Sequence, residues 1–310
     1  MQSLWMLFAA FLFSIMGVGV KLASDSYSIS QIVMYRNLVG VLFLAGLILV
    51  RGGSFRTVHA RDHLWRGAVG VTALWMWFYA IGRLPIATGM TLNYMAPIWM
   101  AGILLAAGLR KGRRSFEWGL AIAILCSFAG VTLLLRPSFD AEQWFAGLVG
   151  LGSGVLSAFA YLQVRKLGQL GEPEYRVVFY FSLIGVVAGF AGSLVDGTAG
   201  AGGWLPHDLR GAGLLLAIGL TATVAQIAMT RAYRLGKTLV TANLQYSGII
   251  FASMWGILLW GDVLGWMSWL GIAIILASGS VATYYNTRTP AVPAARPTVA
   301  KANDPIATEV

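Results

Sequence analysis

Two short stretches place polar and ring-bearing groups where the surrounding sequence is almost wholly apolar: TLNYMAPIW at 91–99 and ANLQYSGII at 242–250. The first offers Asn93 beside Tyr94, and the second offers Asn243, Gln245 and Tyr246. Amides and phenols at membrane depth need hydrogen-bond partners, which a polar solute supplies wherever they line a wet gap. Pro97 has no N–H, so it frees the carbonyl of Asn93 and is expected to bend or loosen a helix there. Gly248 stands at the corresponding point of the second stretch and weakens a helix less than proline does. Interrupted helices at membrane depth are tolerated where they line a cavity or are buried in protein, and discontinuous helices are where carriers bind substrate. The chemistry these groups suit is recognition. The alternative is that the amides bond neighbouring helices and the proline is a structural kink.

Other groups at similar depth extend the set of substrate-pathway candidates. Trp75 and Tyr79 are four apart on one helical face, as are Ser157 and Tyr161, while Gln163 and Gln226 need partners. Arg36 stands about two turns inside its helix, where a charge is costly unless it snorkels or is paired. Its two readings are snorkelling and recognition of an anionic group on a substrate. All twelve Asp and Glu, and the three His, fall in loops, tails or helix ends, so no buried acid is available as a proton relay. Facilitated diffusion or exchange is therefore expected in preference to proton coupling. No carboxylate pair, His-rich metal spacing or Ser-His-Asp set occurs at membrane depth, and neither catalytic residues, a metal site nor a cofactor is assigned. Gly236-Lys237-Thr238 resembles the end of a phosphate loop, but Arg231 stands where a glycine is required and no strand precedes it.

The elements that must position these groups follow from composition. The chain is 58% hydrophobic and 11% charged over 310 residues, with its apolar residues in long blocks. A hydrocarbon core of about 30 Å takes roughly 20 helical residues to cross. Ten blocks qualify, at 4–20, 31–50, 67–82, 86–108, 118–135, 146–164, 177–195, 211–230, 238–260 and 264–285. They are continuously apolar, unlike the alternating strands of a barrel, so an all-α polytopic membrane protein is predicted. The first block reads as a span and not a cleaved leader, since nothing basic precedes it and no small-x-small site follows. Gly150/Gly154 and Gly185/Gly189 have the four-residue spacing that lets helix backbones approach closely. Cys126 is expected to be a small core residue.

The net charge of +10 could suggest nucleic acid, but the 22 Lys and Arg sort by side of the membrane. Threading ten spans leaves Lys21, Arg83, Arg136 and Arg210 on one face and, apart from Arg36, all the others on the opposite face, Arg66 among them. That crowded face is cytoplasmic, with both termini inside. Residues 287–310, rich in proline and small polar residues, are expected to form a disordered cytoplasmic tail.

A weak internal repeat is present. QIVMYRNLVGV at 31–41 aligns with RVVFYFSLIGV at 176–186 at an offset of 145, pairing Tyr35/Tyr180, Leu38/Leu183, Gly40/Gly185 and Val41/Val186. The same offset brings Lys21 onto Lys166, and Arg83-Leu84 falls on Arg234-Leu235 at an offset of 151. Two copies of a unit with five spans must face opposite ways, and inverted repeats are a transporter signature. TRAYRLGKTLVTANLQYSGIIFASMWGILLWGD, WLGIAIILASGSVATYY and AIGRLPIATGMTLNYMAPIW resemble the EamA-type transporters of the drug/metabolite transporter superfamily, over about 4–285. The resemblance implies ten transmembrane helices as two inverted five-helix repeats, residues 1–140 and 141–286, in a bacterial-type inner membrane, moving metabolites, commonly outward. The chain departs from the pattern in having Gln245 where a glutamate is common and Arg110-Lys111 where the first copy would match Asp262.

These observations predict a secondary, non-ATP transporter of small metabolites, an exporter or exchanger working by alternating access. Its partners are the lipid bilayer and a small-molecule metabolite, with no nucleic acid and no oligomeric state assigned. The alternatives are a membrane enzyme acting on anionic lipids, or a channel.

Overall fold

A computed structural model describes residues 2–23, 26–81, 83–84, 86–110, 118–135, 143–198, 208–261, 263 and 265–288, which are helical apart from short connections and contain no strand. A 3-10 turn leads into α1 (Trp5–Ala23), followed by α2 (Ile29–Arg51), α3 (Ala60–Ile81), α4 (Ile86–Asn93), α5 (Ala96–Arg110) and α6 (Trp118–Leu135). Then come α7 (Trp144–Gln169), α8 (Glu174–Thr198), α9 (Leu209–Leu235), α10 (Thr238–Leu244), α11 (Ser247–Trp260) and α12 (Trp266–Arg288). Among the described residues seven helical segments are long and apolar enough to cross a membrane, and Trp118–Leu134 and Trp266–Ala282 are shorter apolar helices. The chain is a multi-pass membrane protein. Each apolar block read from the sequence carries helix, and two blocks carry a pair of short helices split by Tyr94-Met95 and by Gln245-Tyr246.

Polar ends lengthen several helices beyond their apolar blocks. Ser28 and Gln31 form a reciprocal capping box at the start of α2, satisfying two backbone donors before the apolar run begins. The largest correction concerns α3, which starts at Ala60, seven residues before its apolar block. Arg66 therefore lies two turns inside a helix, not in a loop, and is buried. Cys126 is exposed on the surface of α6, not packed in the core. The basic run 111–114, Arg136, Asp262 and the tail beyond Arg288 lie outside the described residues.

The helices pack in antiparallel pairs: α1 with α9, α2 with α8, α3 with α7 and α6 with α12. Their direction follows from which residues meet. Along α2 and α8, Gly40 meets Ser182, Asn37 meets Gly185 and Met34 meets Gly189, one number falling as the other rises. The Gly185/Gly189 spacing thus does what it predicts: an added Cβ would lie 2.5 Å from Asn37 Cγ and 2.7 Å from Met34 N, respectively. On α6 and α12 the same descent runs through Leu134 and Ser268, Gly130 and Gly271, and Ala123 and Ser278.

A Cβ at Gly130 would sit 2.7 Å from the carbonyl oxygen of Gly271, a backbone atom that cannot swing aside. Gly130→Leu is expected to force α6 from α12 and cost about 1–3 kcal/mol, the usual range for overpacking. Thermal unfolding in detergent checks this, with Gly102→Leu as control, since nothing lies within 4 Å of a Cβ at Gly102.

Candidate functional site

The two helix breaks set the geometry of the site. At the first, Met95 N–H closes onto Leu92 O at 3.3 Å and Ile98 N–H onto Met95 O at 2.9 Å, tightening the turn. The break falls at Tyr94-Met95, not at Pro97, because proline sits as the second residue of α5, where a missing N–H leaves nothing unpaired. The loosened carbonyls face α7 at Gly154, whose added Cβ would lie 2.7 Å from Leu92 O and 3.4 Å from Asn93 O. Only glycine leaves room for that approach. At the second break Gln245 N–H is shared between Thr241 O and Ala242 O, and Tyr246 N–H reaches Asn243 O at 3.2 Å. Gly248 is likewise second in its helix, α11.

Side chains from both breaks converge. The Tyr94 and Tyr246 rings lie 6.3 Å apart, and Tyr246 is fully buried with no partner for its hydroxyl. Gln245 Nε2 donates to the Tyr161 hydroxyl at 3.3 Å, while its Oε1 accepts from the Tyr233 hydroxyl at 3.4 Å. Tyr161 and Tyr233 stack at 5.4 Å with an interplanar angle of 13°. Asn93 Nδ2 donates to Ser153 Oγ at 3.2 Å and Ser157 Oγ at 3.3 Å on α7. Asn243 is buried with both side-chain polar atoms unpartnered. The result is an aromatic and amide cluster with hydrogen-bonding capacity to spare, suited to a polar, ring-bearing or hydroxylated solute.

Two arginines flank it. Arg36 lines a cavity of about 10 Å³ together with Asn37, Phe181, Ser182, Thr223 and Gln226, so Gln226 joins Arg36 and not the tyrosines. Arg66 lies with its guanidinium carbon 4.4 Å from the centre of the same Phe181 ring, within electrostatic reach of Arg36 and Tyr161. The remaining candidates lie elsewhere. Trp75 approaches α8 at Gly192, and Tyr79 carries Arg83 over its ring at 3.9 Å and meets Phe145 edge-on. Gln163 is engaged at the opposite end, donating to Asp62 Oδ1 at 2.8 Å.

Tyr233 and Arg66 were not among the sequence candidates. Tyr233 sits between Arg231 and Arg234, which makes it look like a helix end, yet it is fully buried. For Arg66 the readable signal is Gly70 one turn on: a Cβ there would collide with Arg66 Nη1, so the glycine admits a side chain pointing inward along α3.

That opposite end holds a polar latch between 54–63 and 163–180. Thr57 Oγ1 donates to Glu172 Oε1 at 2.6 Å, Arg176 Nε to Ser54 O at 2.9 Å, Tyr180 OH to Phe55 O at 2.9 Å and Lys166 Nζ to Asp62 Oδ1 at 2.6 Å. Glu172 is buried beside His63, whose Nε2 lies 3.4 Å from its Oε2, and Arg176 pairs with it at 3.0 Å. The buried imidazole and carboxylate refine the sequence reading: they stand at helix ends, as expected, but are packed inside protein. Burial alone would raise the Glu172 carboxyl, but the close approach of His63 and hydrogen bonds from Thr57 and Arg176 outweigh it and hold the pKa down at about 2.

Residues 1–136 match the model of the EamA-like transporter family. Pseudopaline exporter CntI of Pseudomonas aeruginosa is 30% identical over 258 residues, covering 82% of this chain and 86% of that protein. A riboflavin transporter of Vibrio cholerae is 26% identical, covering 92% and 94%, and human solute carrier family 35 member G1 is 23% identical, covering 88% and 76%. A solved crystal structure with 16% identity superposes with a TM-score of 0.78 over 93% of this chain and 99% of that one, showing the fold.

The latch has a pH signature. A carboxyl whose pKa falls on folding stabilises above its unfolded value, 4.5, and loses that contribution as pH drops through about 2. The stability gap between the parent and Glu172→Gln is therefore expected to be constant from pH 7 to about 5 and to shrink below 4.5. Melting curves of both proteins across that range measure it.

Proposed function

The chain belongs to the EamA-like transporter family, and we propose that it is a secondary carrier of small metabolites, an exporter or exchanger alternating between two inverted five-helix units, 1–140 and 141–286. The observation that carries this reading is the reciprocal contact of α2 with α8. At the offset of 145, Asn37 corresponds to Ser182 and Gly40 to Gly185, and the contacts made are Gly40 with Ser182 and Gly185 with Asn37. Each contact is the image of the other under a two-fold exchange, and the helices run antiparallel, as inverted copies require. The α6–α12 pair behaves likewise through Gly130 and Gly271, and α1 on α9 mirrors α7 on α3. The family match over 1–136 stops where α6 stops, at Leu135, in keeping with a unit boundary there.

In this reading Asn93, Tyr94, Tyr161, Asn243, Gln245 and Tyr246 line the solute path, joined by Tyr233. Tyr233, Asn243 and Tyr246 are buried and the other four half-buried, and the unpartnered amide of Asn243 and hydroxyl of Tyr246 support the assignment. The end carrying Arg51, Arg56, Arg61, Lys166, Arg176 and Lys237 is cytoplasmic in an inner membrane, and both termini lie on that side. The latch joins the two units there and closes that end. Glu172 and His63 lie in this latch and not at the helix breaks, so facilitated diffusion or exchange remains the favoured mechanism.

A thermal-shift screen of purified protein against amino acids, nucleosides, vitamins and organic acids selects the cargo, because a ligand of the folded state raises its apparent stability. With that cargo, saturable counterflow in proteoliposomes is expected; flux without saturation or counterflow would make it a channel. Tyr94→Ala and Tyr246→Ala are expected to insert normally and to lower counterflow by about tenfold, the equivalent of about 1.4 kcal/mol. Unaltered kinetics in both would remove the tyrosines from the path. Pro97→Ala is expected to give a straighter, more stable helix that cycles more slowly, measured as single-turnover rates.

A further inference from the structure

We infer that Arg36 and Arg66 together form an anion-recognition site for a carboxylate or phosphate group on a small organic solute, an assignment that rests on the carrier reading and gives its cargo a charge. The guanidiniums come from α2 and α3, which both pack on α8, and meet at Phe181 of that helix: Arg36 lines the cavity beside this ring, and Arg66 lies over it. Arg66 is 3% exposed, and Nε and Nη1 of both arginines are buried with no hydrogen-bond partner. Among the described residues no carboxylate pairs with either. The acids that do pair, Asp62, Glu172 and Glu174, stand at the latch end and are engaged by Lys166, Arg176 and Arg234.

Buried charge without a counter-charge is costly, most of all at membrane depth, and such residues face substrate paths or pair with something. Snorkelling does not relieve Arg66, because its side chain is folded inward over Gly70. An arginine stacked on a ring keeps its in-plane N–H groups free, and the planar fork matches a carboxylate or phosphate bidentately. Gln226 and Ser182, on the cavity wall, add neutral partners. At about 10 Å³ the cavity is no larger than one water needs, so the site must widen to admit a solute as the units rearrange. Arg36 corresponds to Phe181 at the offset of 145, so charge and ring occupy matched positions of the two copies and only one copy supplies the cation there.

The test uses the full chain in phosphatidylcholine nanodiscs, unfolded thermally with succinate, citrate or inorganic phosphate against sodium chloride of equal ionic strength. At least one of the three anions is expected to raise the midpoint in a saturable way, with the apparent Kd at least about tenfold weaker in Arg66→Met and in Arg36→Gln. Without anion, both variants are expected to melt at or above the parent, since each loses an uncompensated charge; Arg66→Met keeps the aliphatic stem on Phe181. Arg66→Lys keeps charge but not the fork, and serves if Arg66→Met does not fold; intermediate affinity is expected. No anion response in the parent, or an undiminished response in the variants, overturns the site. A midpoint raised by phosphatidylglycerol in the discs, with no further response to the soluble anions, overturns the solute assignment in favour of a lipid headgroup. Anion binding without counterflow would instead sink the carrier reading and leave the site standing, whereas counterflow of a neutral solute with no anion response would do the reverse.

Discussion

A backbone carbonyl at membrane depth has no water to turn to, and this constraint organises the centre of the protein. Two helices give up their regular ladder at Tyr94-Met95 and Gln245-Tyr246, and the surrounding structure provides for the groups released. At the first break α7 presents Gly154 against the carbonyls of Leu92 and Asn93, and Ser153 and Ser157 take up the Asn93 amide. At the second the turn tightens onto its own carbonyls, and Gln245 spans Tyr161 and Tyr233. The glycine at 154 follows from that need, while the serines beside it and the tyrosine stack answer the side-chain amides of Asn93 and Gln245 that flank the breaks.

The two breaks share a place and differ in chemistry. Pro97 enforces the first, while the second persists around Gly248, which retains its N–H and bonds it to Gln245 O at 3.1 Å. Asn93 is satisfied by serines, whereas Asn243 is buried with no partner for its amide. Proline costs a helix interior roughly 3 kcal/mol against about 1 for glycine, so the second break is the softer one. Polar groups are thus matched at the first break and left open at the second.

Charge divides the molecule in a comparable way. The acids of the latch are matched by Lys166, Arg176 and Arg234, and burial there is compensated bond by bond. Arg36 and Arg66, deeper in the bundle, have no such compensation. The contrast separates charges compensated within the chain from charges that the described residues leave uncompensated, the basis of the anion site proposed above.

The helical class, the position of every apolar block, the two interrupted segments and the sparing of acids from the bundle centre are legible along the chain. These are statements about transfer from water to hydrocarbon and about backbone valence, and both depend on neighbours along the chain. The sequence also placed Tyr94, Gln245 and Tyr246 at the breaks, where the structure gathers them. It misplaced Arg66, because a charge adjoining an apolar block reads as its edge, and it missed Tyr233 for the same reason. It gave Gln163, Trp75 and Tyr79 a depth but no direction, and the structure turns them to Asp62, to α8 and to Arg83. Which polar groups meet partners and which stay bare depends on helix rotation and on the antiparallel pairing of distant segments, and both are fixed by contacts far apart in the chain.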